Sequence, residues 1–277
     1  MANITASEVN KLRQMTGAGM MDCKAALIET DGDFEKAIDF LRKKGQKVAN
    51  KRADKEANEG IVIAAVNADH TFGVVVRISC ETDFVAKNEE FTSLANKLVA
   101  GAIAGSVKEK EAALNLVIDG HSFADQLTNL IGKTGEKMEL SGYEFIEAPV
   151  VSAYNHQGNR LATLLSLNMK VEGAIEVAHE IAMQVAAMNP ISVSADNVPA
   201  DVIERELEIG RDQARAEGKP EAMVEKIAQG KLNKFYKEST LLQQDFIRDA
   251  KKTVAQRIAE VNSGLTATCF KRLQLGE

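Results

Sequence analysis

Cysteine is scarce and badly spaced for chemistry. Cys23, Cys80 and Cys269 are odd in number, lie far apart and form no CxxC pair. That argues against structural zinc and fits a reducing cytoplasm, where the protein is expected to reside. Histidine is equally thin, and His70, His121, His156 and His179 show no ligand spacing. No apolar run approaches the ~18–20 residues of a membrane span. The start, Met1-Ala-Asn-Ile-Thr-Ala-Ser-Glu8, lacks the basic and apolar regions of a signal peptide. No Gly-x-x-x-x-Gly-Lys phosphate loop occurs, so no nucleotide site, cofactor or metal is expected in this chain. The net charge of −6 speaks against a general binder of polyanions.

What is present is an ordinary globular composition, 45% apolar and 27% charged, over 277 residues, which is room for more than one domain. The organising stretch is Cys80-Glu-Thr-Asp-Phe-Val-Ala-Lys87. Phe72–Ser79 before it is rich in β-branched residues and reads as a buried strand. Asn88 after it caps a helix with Phe91, Leu94, Ala95, Leu98 and Val99 at helical spacing. Thr82–Val85 therefore occupies a strand-to-helix corner, a surface position that often carries function. Two readings stand side by side. Phe84 and Val85 fold back onto the core with Asp83 as an N-cap, or Phe84 protrudes as a wedge with Asp83 carrying charge beside it.

Residues 1–46 read as a three-helix docking module. Thr5 and Glu8 make a capping box, with Val9, Leu12 and Met15 on one face. Gly17 and Gly19 break the chain before a helix over 21–29, and Asp33 caps a third with Phe34, Ala37, Ile38 and Leu41 inward. The tight loop pushes Met20 or Met21 outward, unless both belong to the core. Residues 47–59 form a polar, partly helical linker at the end of a basic stretch, Arg42 to Lys55, that has no interleaved aromatics for stacking bases.

Residues 60–148 read as an α+β unit. It has a hairpin of 60–66 with 72–79, a helix boxed by Ser106 and Glu109 and closed by Gly120, a helix capped by Ser122, and a strand over 137–146. Residues 149–196 and 241–277 repeat the plan: strands 150–154 and 161–167, a helix stopped at Asn189-Pro190, and a closing strand over 266–273. Between them, 197–240 reads as an antiparallel helical hairpin, a short coiled coil, with Val202, Ile203 and Leu207 facing Met223, Val224, Ile227, Ala228, Leu232 and Phe235. The expected class is α+β, with an N-terminal three-helix module, a linker and a duplicated core carrying this hairpin.

Glu81-Thr-Asp-Phe-Val-Ala-Lys87, directly after a strand, resembles the signature of the bacterial elongation factor Ts family. Leu12-Arg-Gln-Met-Thr-Gly-Ala-Gly-Met-Met-Asp-Cys-Lys24 is similar to that family's other signature, and Tyr154-Asn-His-Gln-Gly-Asn-Arg160 to a third conserved region of it. Arg77, Ser79, Ala25 and Leu161-Ala162 depart from the family pattern, the first two in the strand before the corner. The resemblance runs through nearly the whole chain. It implies a ubiquitin-associated-like first module and a guanine-nucleotide exchange factor without covalent chemistry. The implied partner is elongation factor Tu, GDP-bound or nucleotide-free.

The resemblance further implies that Thr82, Asp83, Phe84 and Val85 act near the nucleotide and Mg²⁺ of Tu. Arg13, Met20 and Met21 would grip its nucleotide-binding domain, and His156 would face its third domain. The helical hairpin would make interprotein contacts, including a dimer of Tu–Ts complexes. No stable nucleic-acid or membrane partner is implied. From the residues alone, two other functions stay open: an RNA- or ribosome-binding translation factor using the basic stretch and the hairpin, and an enzyme centred on Cys80 or His156.

Overall fold

Thr5 and Glu8 open the first helix as a reciprocal capping box, and three helices follow in close succession. The structure is a computed structural model that describes residues 4–277, so the first three residues of the expected N-terminal module lie outside it. Helix α1 spans Ala6–Thr16, α2 Met20–Glu29 and α3 Phe34–Lys51. Val9, Leu12, Cys23, Ala26, Leu27, Ala37 and Leu41 make a small core of their own. Met15, expected on the same face as Val9 and Leu12, is exposed. Two successive i+3 steps carry it about 120° around the helix from Val9, off the apolar stripe. Nothing breaks α3 at residue 46, and the helix carries Arg42, Lys43, Lys44, Lys47 and Lys51 of the basic stretch before ending at Lys51.

Strands β1 (Glu59–Val66) and β2 (Phe72–Cys80) pair antiparallel. The one-turn helix α4 (Asp83–Ala86) follows, then α5 (Glu89–Ala104), capped as expected by the Asn88 side chain. The expected Ser106–Glu109 box does not form. Ser106 takes a left-handed conformation (φ 47°) in the turn that ends α5, and Glu109 precedes a five-residue helix, α6 (Lys110–Leu114), without a side-chain cap. Gly120 closes no helix either. Asp119 and Gly120, both at positive φ (51° and 86°), turn a small hairpin of β3 (Val117–Ile118) and β4 (His121–Ser122). Asp-Gly is the pair that such a tight primed turn favours. Helix α7 (Phe123–Thr134) is capped by Ser122, and β5 (Met138–Glu147) returns to pair with β2.

The second half repeats this order with β6 (Val150–Asn155), β7 (Leu161–Leu167) and α8 (Ala174–Met188), which ends at Asn189 in a left-handed cap. The hairpin α9 (Ala200–Ala216) and α10 (Glu221–Ser239) comes next. A short hairpin, β8 (Asp245–Phe246) with β9 (Asp249–Thr253), leads into α11 (Val254–Ala259) before β10 (Ala267–Gln274) closes the sheet. The sequence reading passed over β8, β9 and α11, although the Thr253–Gln256 capping box that starts α11 is a readable signal.

Both sheets have three strands, in the orders β1-β2-β5 and β10-β7-β6. In each, the second strand of the hairpin is central and the returning strand lies on its far side, so the duplication is one of topology. Alternation along the strands builds four layers. Val74, Val76 and Ile78 face α5 and α7. Val62, Ala64 and Val75 meet Val151, Ala162 and Leu164 of the other sheet. Leu165 and Leu167 face α8. Burial on both faces is why β2 and β7 read as continuous apolar runs. A Cβ at Gly73 would lie 3.0 Å from Leu164 and Val151, so glycine lets the sheets meet there. The α9–α10 pair packs chiefly on itself, with Gly210 directly against Ala228, and Met223, expected inward, is exposed.

Candidate functional site

The β2–β5 pairing ends at Cys80 opposite Met138. Beyond that point side chains replace backbone. The Glu81 carboxylate accepts the Lys137 N–H at 2.6 Å, and the Glu136 carboxylate accepts the Thr82 N–H at 3.1 Å and its hydroxyl at 2.8 Å. The Thr82 oxygen in turn accepts the Val85 N–H at 3.4 Å, so Thr82 rather than Asp83 is the N-cap of α4. This turn divides the two sequence readings residue by residue. Val85 points inward at 8% exposure and joins the core of the first sheet, while Phe84 stands out at 83%. Thr82 is half-buried, and Asp83 is exposed.

The Asp83 carboxylate accepts from Lys87 Nζ at 2.7 Å. That hydrogen bond and the lysine's charge hold the Asp83 pKa below the ordinary carboxylate value. The corner therefore presents an apolar ring beside an ionised acid. Cys80 lies behind it, fully buried, its thiol donating to the Thr82 carbonyl at 3.2 Å. Burial, followed by the nearby Glu136 and Glu59 charges, pushes its pKa up to about 12. A fully buried thiol held in its protonated form is a weak nucleophile, so nothing about Cys80 favours the enzymatic reading built on it.

In the helical module, Gly17 adopts φ 69° and its N–H returns to the Arg13 carbonyl at 2.8 Å, ending α1. Both methionines of the loop face out, Met20 at 55% and Met21 at 73% exposure, and Arg13 is exposed as well. The alternative that both belong to the core is thus corrected: Cys23, Ala26 and Leu27 supply the inward face of α2, leaving its first two residues outside. The module sits on the core through α3 crossing α7. A Cβ at Gly45 would lie 2.6 Å from the Thr128 carbonyl oxygen, and one at Gly132 3.0 Å from Gly45 Cα. Arg42–Asp125 and Arg52–Glu81 ion pairs flank the crossing. The Met20 loop also reaches the corner's own flank, since Gly17 lies against Glu90 in the first turn of α5.

His156 lies in the β6–β7 turn and is exposed. Its Nδ1 meets the Tyr154 hydroxyl at 3.0 Å, and Tyr154 packs edge-on to His179. Arg160 in the same turn pairs with Glu59, which stands opposite Cys80 in the β1–β2 hairpin. The turn and the corner thus share one end of the two sheets. Among the described residues, no group of His, Cys, Asp or Glu is arranged to hold a metal ion.

Sequence reasoning assigned no role to Glu136, Arg52 or Lys137, although all three support the corner. For Glu136 and Lys137 the only signal was register, since once Cys80 faces Met138, residues 81 and 82 must face 137 and 136; Arg52, at the end of α3, had none. Arg77, a departure from the expected strand pattern, faces the second sheet. It donates to Ser141 Oγ at 3.0 Å and to the Gln274 and Glu277 carbonyls at 2.8 and 2.9 Å, tying the C-terminal end to the first sheet.

A family model described as Elongation factor TS matches residues 81–277, opening at the corner itself. Elongation factor Ts of Flavobacterium psychrophilum is 50% identical over 276 residues, covering 100% of both chains. That of Christiangramia forsetii is likewise 50% identical over 276 residues, with both chains fully covered. Elongation factor Ts of Chloroherpeton thalassium is 43% identical over 288 residues, again covering 100% of each. No helix among the described residues is long and apolar enough to cross a membrane.

Proposed function

The chain belongs to the elongation factor Ts family and so to the translation elongation factors, and from that premise we propose that it is the guanine-nucleotide exchange factor of elongation factor Tu. The observation that carries this reading is Phe84, an exposed aromatic ring on a capped one-turn helix whose other apolar residues, Val85 and Ala86, pack into the core. A ring held out in water gains about 1.5–3 kcal/mol when a partner's groove buries it. Its mount is already ordered, so little of that gain is lost to fixing the corner.

In this reading Phe84 enters Tu beside the site that holds GDP and Mg²⁺, and Asp83 brings a carboxylate with it. Displacing the elements that hold the cation leaves the phosphate charge less compensated, and GDP departs faster. The coupling is reciprocal: the factor weakens GDP binding by the same ratio as GDP weakens the factor. GTP then replaces the factor, and no covalent step is needed. Arg13, Met20 and Met21 grip the nucleotide-binding domain of Tu, and the His156 turn meets its third domain. Each contact raises the effective concentration of the wedge at its target. Exposed methionine suits such a grip because its flexible thioether adapts to the opposing surface.

The test is release of a fluorescent GDP analogue from elongation factor Tu with catalytic amounts of the protein. Faster release that collapses in the Phe84→Ala variant supports the reading. An unchanged release rate with folded protein and active Tu removes it.

A further inference from the structure

The corner that carries Phe84 is tied down by carboxylates in a way that a strand end alone does not require. Backbone pairing stops at Cys80 and Met138, yet the next two residue pairs remain bonded reciprocally. Glu81 takes the N–H of Lys137, and Glu136 takes the N–H of Thr82. Thr82 is still extended as the N-cap (φ −123°, ψ 155°), but continued backbone pairing would have kept Asp83 extended too. The side-chain bonds instead let the chain turn into α4 while it stays fastened to β5. Glu136 also determines what the Thr82 hydroxyl does. The hydroxyl proton goes to the carboxylate at 2.8 Å, so its oxygen is left to accept the Val85 N–H and cap the helix. Four residues of helix do not persist unaided, because nucleation costs more than one turn returns. The cap and its orientation are therefore what keep Phe84 presented.

A second tie leads away from the corner. The other oxygen of Glu81 accepts from Arg52 Nη1 at 3.0 Å, and Arg52 is the C-cap of α3. The pair is partly shielded, with side chains 38% and 16% exposed. Charge-assisted bonds thus join the end of the helical module to Glu81 and Lys137, and Glu136, the chain neighbour of Lys137, to Thr82 and the wedge. Bonds of this kind are short, directional and stronger than neutral ones.

We propose that Glu136 is a positioning residue for nucleotide exchange, orienting Thr82 so that Phe84 is held for insertion, and that Arg52–Glu81 couples this clamp to the docking module. The inference rests on the exchange reading above. Glu136 acts through Thr82, so its loss alters how well the docked wedge works rather than whether the protein docks.

The experiment compares the parent with Glu136→Ala, Glu136→Gln and Thr82→Val at saturating concentration in the GDP-release assay. Hydrogen exchange at the Val85 amide is followed in the free proteins. Glu136→Ala is expected to lower the maximal release rate about tenfold, the scale of losing hydrogen bonds to a charged group. The half-saturating concentration stays as in the parent. Glu136→Gln, which keeps one acceptor oxygen, falls between the two, and Val85 amide exchange accelerates in the same order. A folded Glu136→Ala variant with parental maximal rate overturns the proposal, as does a loss confined to the half-saturating concentration. Should circular dichroism show Glu136→Ala misfolded, Thr82→Val decides by the same two criteria. A parent that fails to accelerate release removes the exchange reading instead. Val85 amide exchange then tells whether the clamp itself holds the corner, since a parental exchange rate in Glu136→Ala removes the clamp as well.

Discussion

Phe84 and Val85 are neighbours in one turn of helix, yet Phe84 is 83% exposed and Val85 8%. Their different surroundings separate function from stability at adjacent positions. Phe84→Ala removes nothing from the core, so thermal unfolding should stay within about 0.5 kcal/mol of the parent, as for other surface changes. GDP release should slow by roughly 10–100-fold, the equivalent of the ring's burial in a partner. Val85→Ala should reverse the pattern and cost about 1.5–2.5 kcal/mol of stability for two buried methyl groups and their cavity. Equilibrium denaturation of both variants beside the release assay checks the pair.

The docking surface gives a complementary expectation. Met20 and Met21 are exposed and lie outside the small core of the helical module. Replacing both by Ala should leave the unfolding midpoint near the parent's and weaken affinity for Tu about tenfold, as expected for truncating two contact residues. Titration calorimetry reads the affinity. Parental affinity in the double variant would move the docking surface elsewhere.

Gly45 and Gly132 set how closely α3 approaches α7. A methyl group at residue 45 meets the Thr128 carbonyl oxygen at 2.6 Å, and that oxygen belongs to helix backbone that has no room to yield. Gly45→Ala should therefore destabilise the chain by about 1–3 kcal/mol, the range for overpacking. It should do so although alanine is the better helix former. Thermal unfolding measures the balance, and a stabilised variant would mean that the helices part without cost.

Alkaline pH should weaken the fold in a defined window. The Cys80 thiol is raised from 9.0 to about 12, chiefly by burial. A raised folded-state pKa means that the native protein holds this proton more tightly than the unfolded chain does. Its contribution is full below pH 9 and lost as pH rises towards 12. Tyr143, also raised to about 12 by burial, acts in the same direction from its ordinary value of 10. Denaturant midpoints measured from pH 8 to pH 11 should fall, and less steeply in Cys80→Ala. A thiol reagent should reach Cys80 in the native protein only at the rate of unfolding, because the residue is fully buried as well as protonated.

The helices and strands, and the duplicated order of elements, were readable because each depends on residues within a turn or on a period of two or 3.6. Thr5 with Glu8, Asp33, Asn88 and Ser122 all cap where the sequence placed caps. The Ser106–Glu109 box failed because Ser106 is taken up, at φ 47°, in the turn that ends α5, and the next helix starts only after Glu109. The exposure of Met15 follows from its angle around α1, whereas that of Met223 was not readable, since only the facing helix decides which side of the hairpin's apolar stripe is covered.

At the corner the sequence by itself determined that a strand ends, a helix begins, and an acid, an aromatic and a β-branched residue lie between them. Those facts are local, and so is the choice of residue types from which a wedge can be made. Only the tertiary structure decided that Val85 turns in and Phe84 out, and that Thr82 rather than Asp83 is the cap. The physical reason is the position of β5. It brings Glu136 to Thr82 from 54 residues along the chain, and no periodicity in the sequence records a partner at that distance.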